Sequence, residues 1–258
     1  MISIKNLSKR FGKKLVLSDI SLDFDKPGIT AILGPNGSGK TTLLKCILGM
    51  VIPDKGSIAM QQNPILGEWA YRDQIAYLPQ IARFPDNLKL KELIQMIQDF
   101  RKRDARPDIL IKSFKLEPYL DQKIRNLSGG TRQRSNIVLS LMYDNPLLIL
   151  DEPTNGLDPV GVIEFKKWLD MENLAGKTIL VTTHILSFVE EMADYVIFIL
   201  DGKIYFSGTL KSLKELHKGK DLEHTIANIL QWHLPATEPV HQNGQIKFDR
   251  ALAPRIKI

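Results

Sequence analysis

One stretch of the chain decides its fold, and it reads Gly34-Pro35-Asn36-Gly37-Ser38-Gly39-Lys40-Thr41, followed by Thr42. It matches the pattern G-x-x-x-x-G-K-[ST] of a phosphate-binding loop. Glycines let the backbone turn tightly, so that successive N–H groups point inward at phosphate oxygens. Lys40 supplies a point charge for the β- and γ-phosphates of a nucleotide, and the Thr41 hydroxyl is a ligand for Mg²⁺. The apolar run Ile29–Leu33 precedes the loop and a helical run follows it, which is the setting that this chemistry requires.

Strand-like and helical runs alternate on both sides of this loop. The runs Leu147–Leu150, Thr178–Thr182 and Tyr195–Ile199 are continuously apolar or β-branched, which is typical of parallel strands covered on both faces. Helical patterns lie around them at Gly130–Tyr143, Val160–Glu172 and Leu186–Ala193. The alternation predicts an α/β fold with a mostly parallel sheet. At the N-terminus, Ile2–Leu7 and Ser21–Phe24 are predicted to form an antiparallel β subdomain.

Two segments depart from this alternation. In residues 81–126, Leu90, Leu93, Ile94 and Ile97 fall at helical spacing and no strand pattern is convincing, so we expect an inserted helical subdomain. Asp221–Trp232 fits an amphipathic helix with Leu222, Ile226, Ile229 and Leu230 on one side, and Leu234–Ile258 reads as an irregular tail. The expected organisation is one domain at 1–218 and a C-terminal appendage at 219–258.

The composition limits the class of protein. The 258 residues are 43% hydrophobic and 25% charged, as in ordinary globular domains, so wholesale disorder is excluded. A single cysteine forms neither an intramolecular disulfide nor a zinc cluster. No apolar run approaches the ~18 residues of a spanning helix, and the N-terminus has no signal-peptide pattern, so we expect a cytoplasmic protein. The net charge of +6 indicates an anionic partner or simply a solvated basic surface.

The strand Leu147–Leu150 ends in two carboxylates, Asp151 and Glu152. Ligands bind at strand ends in open parallel sheets. Asp151 is therefore placed to hold the Mg²⁺ shell, and Glu152 to polarise an attacking water. The alternative is a polar loop start, which the phosphate-binding loop in the same chain makes less plausible.

A third motif, Ser128-Gly129-Gly130, precedes the helical run at Gly130–Tyr143. A serine side chain and backbone N–H groups at a helix N-terminus can hold phosphate oxygens, or they can form an ordinary N-cap with a glycine turn. The phosphate-binding loop already occupies the first helix terminus. A second anion site in the same subunit therefore suits a nucleotide held by another copy.

These motifs together resemble those of ABC-type ATPases. The run Leu127-Ser128-Gly129-Gly130-Thr131-Arg132-Gln133-Arg134 is similar to the family signature. Further family elements follow in order: Gln80 matches the Q-loop, Gly156-Leu157-Asp158 the D-loop, His184 the switch histidine, and Phe11 the aromatic residue that stacks on adenine. The resemblance covers roughly residues 1–218 and implies a P-loop NTPase core. Without the resemblance, His184 would be interpreted as a structural histidine and Phe11 as a residue of core or surface packing.

The resemblance implies a head-to-tail homodimer with two ATP molecules between the subunits. In each site, one subunit holds the phosphates with residues 34–42, and the other contacts the γ-phosphate with Ser128–Gly130. Mg²⁺ is assigned to Thr41 and Gln80, with Asp151 in its outer shell. Lys40, Gln80, Glu152 and His184 are assigned to catalysis, with Glu152 as the general base. Asp158 links the two sites.

Transport across a membrane is the favoured function of ATP hydrolysis by this dimer. With no spanning segment, the chain needs an integral membrane permease subunit, whose short helix would enter the cleft beside Gln80 and the insert 81–126. The protein would then lie peripherally on the inner face of the cell membrane. No nucleic-acid partner is expected.

The alternative is a soluble ABC ATPase of DNA repair or translation. The chain lacks the sustained heptads of repair ATPases and holds one ATPase domain, whereas translation members carry two. A degenerate regulator is disfavoured because Glu152 and His184 are both present.

Within transporters, the run Asn155-Gly156-Leu157-Asp158-Pro159 resembles the drug, haem-maturation and copper-maturation export branch. The resemblance extends to the ATPases of nitrous-oxide reductase copper-site maturation. The sequence contains no substrate contact, so neither the cargo nor the direction of transport follows from it.

Overall fold

The computed structural model describes residues 1–216, 222–224 and 226. The strands are β1 (Ile2–Phe11), β2 (Lys14–Phe24), β3 (Gly28–Leu33), β4 (Lys55–Met60), β5 (Asn63–Pro64), β6 (Ile75–Leu78), β7 (Leu147–Asp151), β8 (Thr178–Thr182), β9 (Tyr195–Leu200) and β10 (Lys203–Thr209). The helices are α1 (Lys40–Ile47), α2 (Leu90–Arg101), α3 (Pro107–Ser113), α4 (Gly129–Leu141), α5 (Pro159–Leu174), α6 (Leu186–Met192) and α7 (Leu210–Leu216).

The N-terminal sheet is antiparallel, with strand order β2-β1-β4-β5. Its longest pairing joins β1 to β2, with Ile2 opposite Phe24 and Ile4 opposite Leu22. These four side chains are buried, because alternate residues of each strand face the core. The predicted antiparallel pair is confirmed, and both strands extend beyond the predicted ranges.

The second sheet has strand order β10-β9-β3-β8-β7-β6. Every pairing from β9 to β6 is parallel, and only β10 at the edge runs antiparallel. All residues of β3, β7 and β8 are buried. The predicted mostly parallel sheet is confirmed. Because β8 lies between β3 and β7, the carboxyl ends of these three strands meet, and the loop after β3 faces the carboxylates after β7.

Alternation along β7 divides the core into two sides. Leu148 and Leu150 pack with buried residues of α2, α3 and α4, whereas Leu147 and Ile149 pack with α1 and the antiparallel sheet. Successive side chains of a strand point to opposite faces, so a continuous apolar run serves both sides. This packing explains why no polar alternation is seen in the sequence of β7.

The predicted helical insert contains α2 and α3, and the structure assigns no strand to residues 81–126. Leu90, Leu93 and Ile94 are buried, which joins the insert to the core. In the C-terminal appendage, Leu222 and Ile226 are helical and buried against Leu213, as the amphipathic pattern predicts. The rest of Asp221–Trp232, the tail Leu234–Ile258 and the boundary between 218 and 219 lie outside the described residues.

The described helices include none with both the length and the apolar character needed to cross a membrane.

Candidate functional site

The loop between β3 and α1 is shaped by glycines that no other residue can replace without strain. Gly34 has φ of 154°, and a Cβ there would lie 2.1 Å from the carbonyl oxygen of Ile199. Gly39 has φ of 110°, and a Cβ there would meet the carbonyl oxygen of Val16 at 2.8 Å. The loop backbone therefore approaches its neighbours more closely than any side chain allows, and it forms a cradle in front of α1.

Lys40 begins α1 and is 6% exposed. Its ammonium group donates hydrogen bonds to the carbonyl oxygens of Gly34 at 2.7 Å and Pro35 at 3.1 Å, which hold it across the loop. Burial lowers the pKa of Lys40, and the charges of Glu152 and Asp151 oppose that shift. The ammonium group therefore lies within the loop, near the carboxylates of Asp151 and Glu152.

Asp151 ends β7 and is almost fully buried. Its Oδ1 accepts a hydrogen bond from the Thr182 hydroxyl at 2.5 Å and another from the Thr41 hydroxyl at 3.2 Å. The register pairs Asp151 directly with Thr182, so the bond to β8 follows from the sheet itself. The contact with Thr41 joins the end of β7 to the phosphate-binding loop and places a hydroxyl and a carboxylate oxygen side by side.

Glu152 is held inside the site by its backbone and its side chain. Its φ is 50°, and its N–H donates to the Thr182 carbonyl and hydroxyl oxygens, each at 3.1 Å. The carboxylate Oε2 lies 3.0 Å from His184 Nδ1. Glu152 is buried, whereas the imidazole is 58% exposed. The pair therefore presents a carboxylate from inside the cleft and a ring at its rim.

Eight of the predicted site residues line one cleft of about 290 Å³: Asn36, Gly37, Gly39, Lys40, Thr41, Thr42, Gln80 and Glu152, together with Lys14 and Val16. The structure thus brings together the loop, the Q-loop and the carboxylate that follows β7. Phe11 lies at the end of β1, paired with Lys14 across the β1–β2 turn, and is 51% exposed. The Lys9 ammonium lies 5.4 Å from the centre of its ring.

The signature residues lie elsewhere on the described surface, and none of Ser128, Gly129 and Gly130 lines this cleft. Ser128 is the N-cap of α4, and its Oγ accepts a hydrogen bond from the Thr131 N–H at 3.2 Å. Ser128 and Gly129 are exposed at that helix end. A single chain therefore carries the cradle and the signature on separate surfaces.

Asp158 is exposed and is the N-cap of α5. Its Oδ1 accepts the Gly161 N–H at 2.7 Å, and its Oδ2 forms an ion pair with Arg134 on α4. Gly156 is close by, since its carbonyl oxygen would lie 3.3 Å from a Cβ on Gly130. The D-loop thus packs against the signature helix within one chain.

Two residues of the site, Thr182 and Val16, carry no prediction from the sequence. Thr182 bonds to the Asp151 carboxylate and to the Glu152 N–H, and Val16 lines the cleft from β2 together with Lys14. The available signal for Thr182 was its position at the end of β8, next to β7. Lys14 and Val16 carry no motif, because their placement depends on how the antiparallel sheet packs against the loop.

The chain matches the family profile described as ABC transporter over residues 17–155. It is 32% identical to the lantibiotic transport ATP-binding protein SrtF of Streptococcus pyogenes, over 88% of this chain and 96% of that protein. It is 33% identical to the Nod factor export ATP-binding protein I of Burkholderia lata, over 86% and 75% respectively. It is 32% identical to the L-cystine import ATP-binding protein TcyC of Bacillus subtilis, over 89% and 99%.

Solved structures of ATP-binding cassettes are also similar to this chain. The ATP-binding subunit of an ABC transporter superposes with a TM-score of 0.82 at 27% identity, covering 89% of this chain and 99% of that one. A dimeric ATP-binding cassette in a post-hydrolysis state with ADP and Pi gives 0.73 at 26% identity, covering 81% and 99%. The chain therefore belongs to the ABC transporter family. It is an ATPase, and it is the ATP-binding subunit of an ABC transporter.

Proposed function

We propose that two copies of this chain hydrolyse ATP at sites formed between them and so drive transport by a separate membrane permease. The observation that carries the proposal is the cleft in which Lys40, Thr41 and Glu152 converge. Lys40 and the loop amides bind the phosphates, and Glu152 accepts a proton from the attacking water. His184, bonded to the same carboxylate, is held at the rim where the γ-phosphate would lie.

The residues present fit Mg²⁺. Thr41 and Asp151 place a hydroxyl and a carboxylate oxygen side by side, and Gln80 lines the same cleft. Oxygen ligands of this kind suit a hard cation that is shared with substrate phosphates. When bound, the ion would neutralise charge on the β- and γ-phosphate oxygens. Thr182 keeps Asp151 oriented toward that position.

We propose that the signature acts on the nucleotide of the other copy. Ser128 and Gly129 are exposed at the N-terminus of α4 and lie outside the chain's own cleft. The N-terminal end of a helix attracts anions, so this surface suits a γ-phosphate presented by a partner. The dimeric solved cassette supports a dimer, and we propose that the two copies in it are arranged head to tail. Asp158, packed against α4, would link the two sites.

The test is the variant Glu152→Gln. Loss of the general base lowers turnover by at least about a hundred-fold, while the cradle stays intact and ATP binding is kept. ATP should then trap the closed dimer, which light scattering detects. Lys40→Ala, by contrast, should abolish ATP binding. Turnover at the wild-type rate in Glu152→Gln would show that Glu152 is not the base.

The permease would dock in a groove between the core and the helical insert. The groove has a volume of about 490 Å³ and an apolar lining that includes Ile81, Phe84 and Leu139. Arg72, Arg83 and Arg101 also line it, and no aspartate or glutamate does. Among the described residues, the Arg72 guanidinium donates a hydrogen bond only to the carbonyl oxygen of Gly49, and it lies over the ring of Tyr71. The Arg101 guanidinium lies over the ring of Tyr143. We therefore propose a short permease helix with an apolar face and acidic flanks.

The permease is sought by affinity purification of the tagged chain from detergent-solubilised membranes. The double variant Arg83→Glu/Arg101→Glu should lose the co-purifying membrane protein, whereas Lys26→Glu, an exposed charge reversal outside the groove, should keep it. Retention by both variants would contradict this docking site. Recovery of nucleic acid or ribosomal particles, without a membrane protein, would favour the soluble alternative. A copy held by its permease would lie peripherally at the cytoplasmic face of the membrane.

We propose neither a transported substrate nor a direction of transport. The names of the relatives cover lantibiotic transport, Nod factor export and L-cystine import, so they support neither one substrate nor one direction. They give no support to copper-site maturation of nitrous-oxide reductase, and we do not propose that cargo.

A further inference from the structure

Two hydroxyl groups meet at the start of α4. Ser128 Oγ lies 2.9 Å from Thr131 Oγ1, and the same Ser128 oxygen accepts the Thr131 N–H at 3.2 Å. Thr131 is 7% exposed, whereas Ser128 faces solvent. Among the described residues, the Thr131 hydroxyl has no other hydrogen-bond partner. Within the described part of the chain, the buried Thr131 hydroxyl therefore bonds only to the exposed Ser128 hydroxyl.

A serine hydroxyl has one proton and two acceptor positions. One acceptor position of Ser128 is filled by the Thr131 N–H. If Ser128 donates to Thr131, its only proton is used inside the chain. If Thr131 donates to Ser128, both acceptor positions are filled and the serine proton points outward. A phosphate oxygen only accepts hydrogen bonds, so it selects the second arrangement.

We propose that Thr131 is a positioning residue that aims the Ser128 proton at the γ-phosphate of the partner copy. Donation from Thr131 also polarises the serine hydroxyl, because hydrogen bonds in a chain strengthen one another. The proposal rests on the proposed role of Ser128 and adds to it the residue that prepares Ser128. Thr131 itself touches no nucleotide.

The backbone around Thr131 is fixed independently of its hydroxyl. Its carbonyl oxygen accepts a bond from the Ser135 hydroxyl at 2.9 Å, and the Arg132 N–H donates to the Ser128 carbonyl at 2.8 Å. Replacing Thr131 by valine therefore removes one hydroxyl and keeps the cap and the shape. Replacing it by serine keeps the hydroxyl, so Thr131→Ser is the matched control.

The experiment uses the full chain with Glu152→Gln, titrated with ATP and followed by light scattering. The loss of one neutral hydrogen bond in Thr131→Val should raise the ATP concentration for half-maximal dimerisation roughly three- to ten-fold. Thr131→Ser should stay within about two-fold. Binding of a fluorescent ATP analogue to monomeric chain, and the thermal midpoint, should be unchanged in both. A merely structural role would instead shift the midpoint and the monomer binding.

Ser128→Ala separates this inference from the proposed function. If Ser128→Ala weakens dimerisation and Thr131→Val does not, Thr131 is not a positioning residue, and the role of Ser128 stands. If Ser128→Ala has no effect, or if ATP fails to dimerise the Glu152→Gln chain, the contact proposed between copies is itself wrong. With Ser128→Ala present, adding Thr131→Val should bring no further loss, because the two hydroxyls act as one unit.

Discussion

Replacing Thr182 by valine tests the hydrogen bond that holds the Asp151 carboxylate of the site. The Thr182 hydroxyl is fully buried, donates to Asp151 at 2.5 Å and accepts the Glu152 N–H at 3.1 Å. The bond to a charged carboxylate contributes about 1.5–3 kcal/mol. The bond from Glu152 contributes little, because that N–H also reaches the Thr182 carbonyl oxygen at 3.1 Å.

Valine has almost the volume of threonine, so no cavity term is added. We expect Thr182→Val to lower the free energy of unfolding by about 2–3 kcal/mol, since among the described residues the Asp151 side chain then keeps only its bond to Thr41. At roughly 2–4 °C per kcal/mol for a chain of this size, the thermal midpoint falls by about 4–12 °C. Urea unfolding and calorimetry measure both quantities. ATP turnover should fall as well, because the Asp151 carboxylate loses the hydrogen bond that orients it.

The matched control is Thr178→Val on the same strand. Thr178 is also buried, but no hydrogen bond of its hydroxyl is found in the described part of the chain. Its replacement should change the free energy of unfolding by less than about 0.5 kcal/mol, as is usual away from special features. If Thr182→Val is no more destabilising than Thr178→Val, the reasoning about the Asp151 anchor is refuted.

Two further predictions concern the loop and the first strand. Gly34→Ala should lower the free energy of unfolding by more than about 3 kcal/mol, since its Cβ would clash with the Ile199 carbonyl oxygen. The control Gly37→Ala, with φ of 82° and nothing within 4 Å of the added Cβ, should lower it by only about 1–2 kcal/mol. Equal losses of stability in urea unfolding would contradict the predicted clash at Gly34. Asp54 accepts bonds from the Arg10 N–H and the Lys9 ammonium, which lower its pKa. The contribution of Asp54 to the stability of the fold is therefore fully present above the usual carboxyl pKa of about 3.9. It is lost as the pH falls through the lower pKa that Asp54 has in the folded protein. Asp54→Asn should be destabilised at pH 7, with the difference from wild type vanishing in unfolding measured at strongly acidic pH.

Local signals in the sequence were sufficient for the central sheet and the loop. Each buried parallel strand is a continuous apolar run, and a match to G-x-x-x-x-G-K-[ST] carries its own mechanism. Strand β10 was missed because it is a half-buried edge strand, and such a strand has no continuous apolar run. The dipeptide Asp201-Gly202, with φ of 47° and 73°, marks the tight turn before it and is a strong hairpin signal.

The site was predictable where one motif supplies one residue, and less so where two strands meet. Asp151 and Glu152 follow their own strand, so their position at the sheet edge follows from local sequence. Thr182 acts on them only because the register sets it opposite Asp151. Register depends on the whole sheet, and no spacing along the chain reveals it.

Helix α4 connects the signature at Ser128 with the groove proposed for the permease, so the two sites can be coupled. Ser128 caps its N-terminus, and Asn136, Leu139 and Ser140 of the same helix line the arginine-bearing groove. Asn136 also donates to the Pro79 carbonyl at 3.3 Å, next to Gln80. At about 1.5 Å per residue, the cap and Asn136 lie ~12 Å apart on one rigid rod. Free-energy linkage is reciprocal, so a groove ligand that favours dimer closure is itself bound more tightly, by the same factor, once ATP has closed the dimer.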